Sequence, residues 1–322
     1  MKDDQITIAD IHDGDEFVGF YVLKRSSLKE SDGSFRLEIE LSDKTGVLPG
    51  VVWEDAQTVR EQLSKGEVVK VKGRLGSYKD KPQARIDKIR PAEAGEYSPD
   101  LFIPSTTADC DALATRISEY IEGLGDTHLK QLGKLIFNNS AFMKEFKRAP
   151  GGSQWHHSCI GGLIEHSVAV ADICNWIAEK YPALDRDLLI LAALLHDVGK
   201  IRELSAKNTI EYSDEGRLEG HLVMGDRFVR NMTDRIKDFP PRLKTIISHL
   251  MLSHHGFHTY SSPVEPMTRE AFILYYADEI DAKLNALQKI VDTCEDEGKE
   301  WSDFNRILNR YIYAGEKEKQ KE

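Results

Sequence analysis

Seven residues whose side chains bind metals sit at marked places in this chain. His166 lies in GGLIEHSVAV, His196 and Asp197 close the apolar run Leu188 to Leu195, and His221 follows Glu219 and Gly220. His254 and His255 lie in LSHHG, and Asp278 lies in YYADEIDAK. A lone histidine is ordinarily a satisfied core or surface side chain. These are spread over five helix-like segments, so no local propensity explains them together, and a helical fold can converge them on one cavity. A carboxylate at the end of a buried helix is costly unless compensated, and a cation is one standard compensation. Neutral imidazoles and carboxylates without thiolate suit a divalent ion, Mn²⁺, Fe²⁺, Co²⁺ or Zn²⁺.

Other residues cluster near these in sequence. Lys200 is three residues beyond Asp197, and on a continuing helix it would point to the same mouth and contact a substrate phosphate. His156 and His157 precede the His166 segment and could reach phosphate or orient a ligand, and Arg202 is a further candidate phosphate contact. Asp281, one helical turn from Asp278, reads as a group supporting a ligand or as a surface acid, the latter slightly favoured. Residues 201–220 are polar and interrupt the helices, consistent with a hairpin flap.

Two kinds of element must position these groups. The first ninety residues read as strands: Phe17 to Lys24, Ser34 to Leu41, Val47 to Trp53, Val68 to Leu75 and Gln83 to Ile89. A short helix from Asp55 to Leu63, capped by Asp55, separates the third strand from the fourth. Five strands with a helix there is the order of an OB-fold barrel, assigned to residues 1–90. Residues 91–108 contain three prolines and no helical period, the pattern of a linker. The rest, 109–315, is all-α, with helices expected over 109–123, 126–138, 140–147, 161–180, 187–199, 221–237, 240–253, 268–292 and 300–313. A charged tail occupies 316–322. The fold class is thus multidomain, a β-barrel followed by a helical domain.

Composition bounds the function. The 322 residues carry a net charge of −11, so a global basic field for nucleic acid is excluded. A local one is not. Between Gly66 and Arg90 eight basic residues face three acids, Lys70, Lys72 and Arg74 among the former, and Phe35, Trp53 and Tyr78 are candidate stacking rings. Single-strand binders combine a basic groove with such platforms. The four cysteines are scattered singly and the acidic N-terminus lacks an apolar signal core, which suits the cytoplasm. No apolar run is long enough to cross a membrane. The aromatic residues Trp301, Phe304, Tyr311 and Tyr313 could pack within the chain or support a homo-oligomer.

The order His166, His196-Asp197, Asp278 resembles the HD-domain metal-dependent phosphohydrolases, and His221 with His254 resembles their two-metal subset. The phrases HHSCIGGLIEHS, LLHDVGK, EGRLEGH, LSHHG, SSPVEP and EAFILYYADEIDAK, behind an OB-fold, resemble the bacterial YhaM-type 3′-to-5′ exoribonucleases over nearly the whole chain. The resemblance implies two divalent ions, Mn²⁺ or Co²⁺ favoured over Fe²⁺ or Zn²⁺, with His166, His196, Asp197 and Asp278 holding one and Asp197, His221 and His254 the second. Asp197 would bridge the two, and His255 would be a further ligand or support. It implies hydroxide attack on a phosphodiester between two cations about 3.5–4 Å apart. Single-stranded RNA, and DNA as an alternative, would be degraded to nucleoside 5′-monophosphates. Two stretches depart from the family pattern: Pro150 to Gln154, and Phe257 to Ser261 after LSHHG. The competing functions are hydrolysis of a small nucleotide, a cyclic dinucleotide or a nucleoside triphosphate, and nucleic-acid binding without catalysis.

Overall fold

The computed structural model describes residues 6–31, 33–79, 81–93, 95–98, 101–153 and 155–315. The charged tail expected over 316–322 lies outside them. Two compact units emerge, Met1–Ser105 with Ala206–Glu211, and Thr106–Ser205 with Tyr212–Glu322.

The first unit is a closed barrel of β1 (Glu16–Ser31), β2 (Ser34–Ser42), β3 (Val47–Val52), β4 (Val68–Tyr78) and β5 (Lys81–Pro91), with α1 (Ala56–Gln62) between β3 and β4. The strand order is β1-β2-β3-β5-β4, closed by antiparallel pairing of β1 with β4, while β3 and β5 run parallel. Alternation explains the closure. Val69, Val71 and Leu75 of β4 are buried with Phe17, Tyr21, Leu37, Ile39 and Ile86 in one core, and Lys70, Lys72 and Arg74 point the other way. β1 is longer than its apolar pattern because it bends at a bulge between Leu23 and Arg25 and continues through polar residues paired with β2. Asp55 does not cap α1 as expected: it adopts a left-handed backbone, φ 52°, and its side chain accepts no helix N–H.

Part of the expected linker is not free chain. Tyr97, Leu101 and Phe102 pack on Phe20, Val22 and Val68, because those apolar groups remain exposed on the barrel's outer side without them.

The second unit is helical: α2 (Cys110–Glu122), α3 (Thr127–Phe137), α4 (Ser140–Phe146), α5 (Gly162–Lys180), α6 (Arg186–Leu195), α7 (Lys200–Glu203), α8 (Asp214–Glu219), α9 (His221–Thr233), α10 (Pro241–Ser253) and α11 (Arg269–Glu297). Asp109, Asp126, Asn139 and Asp185 cap α2, α3, α4 and α6 by accepting first-turn N–H groups. All eight residues Leu188 to Leu195 are buried, so α6 is the central helix, with α5, α10 and α11 packed on it. Burial of each large apolar side chain there contributes about 1.5–3 kcal/mol. The flap expectation corresponds to a two-stranded hairpin, β6 (Leu204–Ala206) with β7 (Ile210–Tyr212), followed by α8.

The helix expected over 300–313 is absent. Gly298 ends α11 in a left-handed cap, and the following segment pairs Trp301 with Tyr313 and Asn305 with Arg310. The Asn305 side chain accepts from the N–H of Ile307 and Leu308, an alternative to helix that asparagine offers the backbone. The Trp301 ring meets that of Tyr313 at a tilt, and Phe304 meets Tyr311 edge to face.

Candidate metal centre

α6 ends at Leu195, and His196 and Asp197 begin a tight turn that delivers Lys200 to α7. Gly199 makes the turn fit: a Cβ there would lie 2.0 Å from the carbonyl oxygen of His221. His166 projects from α5, His221 opens α9, His254 and His255 follow α10, and Asp278 lies on α11. The five elements converge on the Asp197 carboxylate, which is 1 % exposed.

The two oxygens of Asp197 face different partners. Oδ2 lies 3.4 Å from Nε2 of His166 and 3.4 Å from Nε2 of His196. Asp278 Oδ1 completes that side, 3.1 Å from His166 Nε2. Oδ1 lies 3.4 Å from Nε2 of His221 and 3.5 Å from Nε2 of His254. His255 Nε2 stands 3.2 Å from His221 Nε2.

Each imidazole is fixed by its other nitrogen. Nδ1 of His196 meets the Ala193 carbonyl at 2.7 Å, that of His254 the Met251 carbonyl at 2.7 Å, and that of His255 the Tyr260 carbonyl at 3.0 Å. Nδ1 of His166 meets Asp281 at 2.6 Å and that of His221 meets Glu203 at 2.9 Å. A carbonyl or carboxylate only accepts, so each Nδ1 carries the proton and donates. The neutral tautomer then turns the Nε2 lone pair into the cavity. His166 and His196 bring two such nitrogens within 3.2 Å, a contact between acceptors that a cation relieves. Asp197 Oδ1 and His254 Nε2 are buried without a hydrogen-bond partner among the described residues. The donor set therefore fits divalent cations. Groups of three donors within 4.8 Å of one another include His166, His196 and Asp197; His196, His254 and Asp278; and His221, His254 and His255.

Burial would lower the His166 imidazole, but the carboxylates of Asp197, Asp278 and Asp281 raise it well above its ordinary range, a positive charge that a bound cation would take over from the proton. Burial alone would raise the Asp197 carboxyl, but the Lys200 ammonium and the surrounding imidazoles hold it well below the usual carboxylate range. Asp278 is likewise held low against its burial, chiefly by His166. Burial, then the neighbouring His254 and His221, push His255 down to about 3, and burial also lowers His254, so both stand neutral as ligands must.

Several expectations change. Lys200 is 7 % exposed, and its ammonium lies 2.5 Å from Asp197 Oδ2 and donates to the Gly151 carbonyl at 2.6 Å. Its contacts are inside the protein: the three-residue offset brings it to Asp197 as expected, and there it pairs with the carboxylate. Arg202 is exposed beside Glu145 and touches none of the seven residues. Asp281 is not a surface acid: it accepts from His166 and, at 2.9 Å, from Nε2 of His157. His157 is thereby buried in a supporting role. His156 lies with its ring centroid 5.3 Å from that of His166, both nitrogens buried without a partner, and burial lowers it to about 3. Glu203 was missed altogether; its place within the flap sequence gave no spacing signal.

On the barrel, Lys70, Lys72, Lys88 and Arg90 line a groove of about 480 Å³ that also holds Glu54, Asp55 and Asp87, and Arg90 is paired with Glu96 at 2.6 Å. The Lys70 ammonium also sits over the Phe20 ring, and Arg74 pairs with Glu16 at 3.3 Å outside the groove. Trp53 and Tyr78 are exposed, Trp53 after β3 and Tyr78 at the tip of the β4–β5 hairpin. Phe35 instead leans onto the barrel core. A smaller groove of about 220 Å³ holds Arg25 and Lys29 beside Glu38 and Glu40, which the sequence did not single out. Among the described residues no helix is long and apolar enough to cross a membrane.

Comparison with known proteins agrees with both units. Residues 163–283 match the HD domain family and residues 22–92 the OB-fold nucleic acid binding domain family. The chain is 30% identical over 285 residues to the 3′-5′ exoribonuclease YhaM of Bacillus licheniformis, covering 88% of this chain and 90% of that one. The same identity and coverage relate it to 3′-5′ exoribonuclease YhaM of Bacillus subtilis.

Proposed function

The chain belongs to the YhaM family of 3′-5′ exoribonucleases, and from that membership we propose that it removes nucleoside 5′-monophosphates one at a time from single-stranded RNA at a two-cation centre, with single-stranded DNA as a second substrate. It is a metal-dependent nuclease of the hydrolase class. The observation that carries the two-cation reading is the division of Asp197: one oxygen faces His166, His196 and Asp278, the other His221 and His254. The first set would hold one ion and the second set the other, with His255 beside His221. When bound, the ions supply an acidified water and the positive charge that a phosphodiester under attack requires.

The chain's own residues do the positioning. Asp281, Glu203 and three carbonyls hold every imidazole in the ligating tautomer. Lys200 fixes the rotamer of Asp197 between the two sets. His156, a neutral ring without a partner beside His166, faces the 3′-terminal nucleotide, with His157 held behind it by Asp281. In the reaction, the water oxygen bonds to phosphorus and the bond to the preceding nucleotide's 3′ oxygen breaks. That oxygen leaves with a proton as a new 3′ hydroxyl. On the barrel, Lys70, Lys72 and Lys88 hold the strand's phosphates, and Trp53 and Tyr78 offer stacking faces.

The test is to incubate 5′-labelled single-stranded RNA and DNA with the protein, with Mn²⁺ or with EDTA, and resolve the products by length. A ladder shortening from the 3′ end only with metal is expected. Intact strands alongside hydrolysis of a cyclic dinucleotide or nucleoside triphosphate would overturn the exonuclease reading.

A further inference from the structure

Directly after His255 the chain forms a loop that is both rigid and aromatic. Gly256 has φ 79°, and a Cβ there would lie 2.4 Å from the Tyr275 ring, so only glycine lets the loop close over that side chain. The loop is locked by Ser262, whose hydroxyl lies 3.0 Å from the Leu252 carbonyl and 2.9 Å from that of Val264, and by His258, whose Nδ1 meets the Ser262 carbonyl at 2.9 Å. Within this ordered frame Phe257 is 48 % exposed and Tyr260 61 % exposed. Their rings begin an unbroken series of contacts: Tyr260 to Phe257 at 6.2 Å, Phe257 to Tyr275 at 5.8 Å, and Tyr275 to Tyr276 at 4.8 Å between centroids. Tyr275, 8 % exposed, anchors the series, and Tyr276 is 53 % exposed.

The series is tied to the metal-binding residues at both ends. The Tyr260 carbonyl accepts from His255, and Tyr275 precedes Asp278 by one turn of α11. Exposed rings on a loop held this tightly lose little freedom when a flat partner lies on them, and every nucleobase has a π-face.

We infer that Phe257, Tyr260 and Tyr276 form a stacking platform for the bases at the 3′ end of the strand, setting the nucleotide's position over the cations and favouring a strand over a small diester. This rests on the exoribonuclease reading above. The rings act through stacking, without base-edge hydrogen bonds, so the platform is indifferent to sequence.

The experiment compares wild type with Phe257→Leu/Tyr260→Leu. That double variant keeps the loop's backbone contacts, including the Tyr260 carbonyl on His255. Two readouts are taken with Mn²⁺: kcat/KM on a single-stranded RNA, and kcat/KM on bis(p-nitrophenyl) phosphate, a diester without bases. A third, with EDTA in place of Mn²⁺ so that the strand is not cleaved, is the fluorescence of 2-aminopurine at the RNA 3′ end. The expected result is a fall of about tenfold or more in the ratio of RNA to small-diester kcat/KM, mostly through KM. Quenching of 2-aminopurine should be lost with the rings, and Phe257→Trp with Tyr260→Trp should restore both. An unchanged ratio with quenching intact overturns the platform while leaving the exonuclease standing. A variant that changes only its mass in solution, by light scattering, overturns it in favour of a contact between copies of the chain. Wild type that hydrolyses the small diester but leaves RNA intact overturns both readings together.

Discussion

Replacing Asp281 by asparagine tests whether the ligands are held by their tautomers. Asp281 Oδ2 accepts from His166 Nδ1 at 2.6 Å and from His157 Nε2 at 2.9 Å. Burial would raise this carboxyl, but His157 and His166 hold it well below the usual range, so it is ionised at any working pH. Asparagine keeps the shape but loses the charge. Both imidazoles meet the same oxygen, so the one oxygen of asparagine can still accept from both, but as an uncharged and weaker acceptor. If His166 shifts its proton to Nε2, it can no longer ligate. A hydrogen bond to a charged group contributes about 1.5–3 kcal/mol, and about 1.4 kcal/mol is tenfold in affinity. The expected loss in Mn²⁺ affinity is therefore about 10- to 100-fold, the usual range for groups that orient metal-binding histidines. The assay is titration of the metal-free protein with Mn²⁺, followed by turnover of single-stranded RNA at limiting and excess Mn²⁺. Excess metal should recover most of the activity. A metal affinity within twofold of wild type would refute the reasoning, as would an activity loss that excess metal leaves untouched.

Asp197→Ala removes the carboxylate that both ligand sets share, so metal content after gel filtration and activity on RNA should both fall to background; retention of either sinks the bridging role. Lys200→Met leaves Asp197 without its ammonium, and breaking a buried pair costs about 3–5 kcal/mol. Because cations would compensate Asp197 in turn, the melting temperature should drop most in EDTA, with the gap to wild type narrowing in Mn²⁺; an equal gap in both would separate Lys200 from the centre. Lys70→Gln, Lys72→Gln and Lys88→Gln together should weaken RNA binding and flatten its dependence on salt, by about 0.7 in the log–log slope for each phosphate left without its cation; an unchanged slope would remove that groove from the strand's path.

What the sequence disclosed follows from chemistry more than from pattern. Ligands are restricted to a few residue types, so His166, His196, Asp197, His221, His254 and Asp278 stood out before any fold was known. The barrel was legible because β4 alternates Val69 and Val71 with Lys70 and Lys72, a period only a half-exposed strand requires. The segment 300–313 was misread as helix because its aromatic spacing suits one, whereas the Asn305 side chain and the cap at Gly298 turn the backbone elsewhere. The three-residue offset of Lys200 from Asp197 does bring its ammonium to that carboxylate, whereas its burial and the Gly151 carbonyl that accepts from it had no signal in the spacing.

The supporting groups divide by whether they have a side chain to recognise. Asp281 and Glu203 orient His166 and His221 through carboxylates, so both were visible in principle, Asp281 by its one-turn offset from Asp278. The acceptors for His196, His254 and His255 are the carbonyls of Ala193, Met251 and Tyr260. Every residue has a carbonyl, so no residue type marks those three positions. The loop beyond His255 is divided in the same way. Its obligation to the metal centre is met entirely by backbone at Tyr260, while the side chains of Phe257 and Tyr260 are released from it and left half exposed. A loop so divided can change its side chains, and with them what it grips, without disturbing how His255 is aimed. Changes in substrate grip with metal binding preserved are therefore expected from substitutions in this loop, and changes in metal binding from substitutions at Asp281 and Glu203.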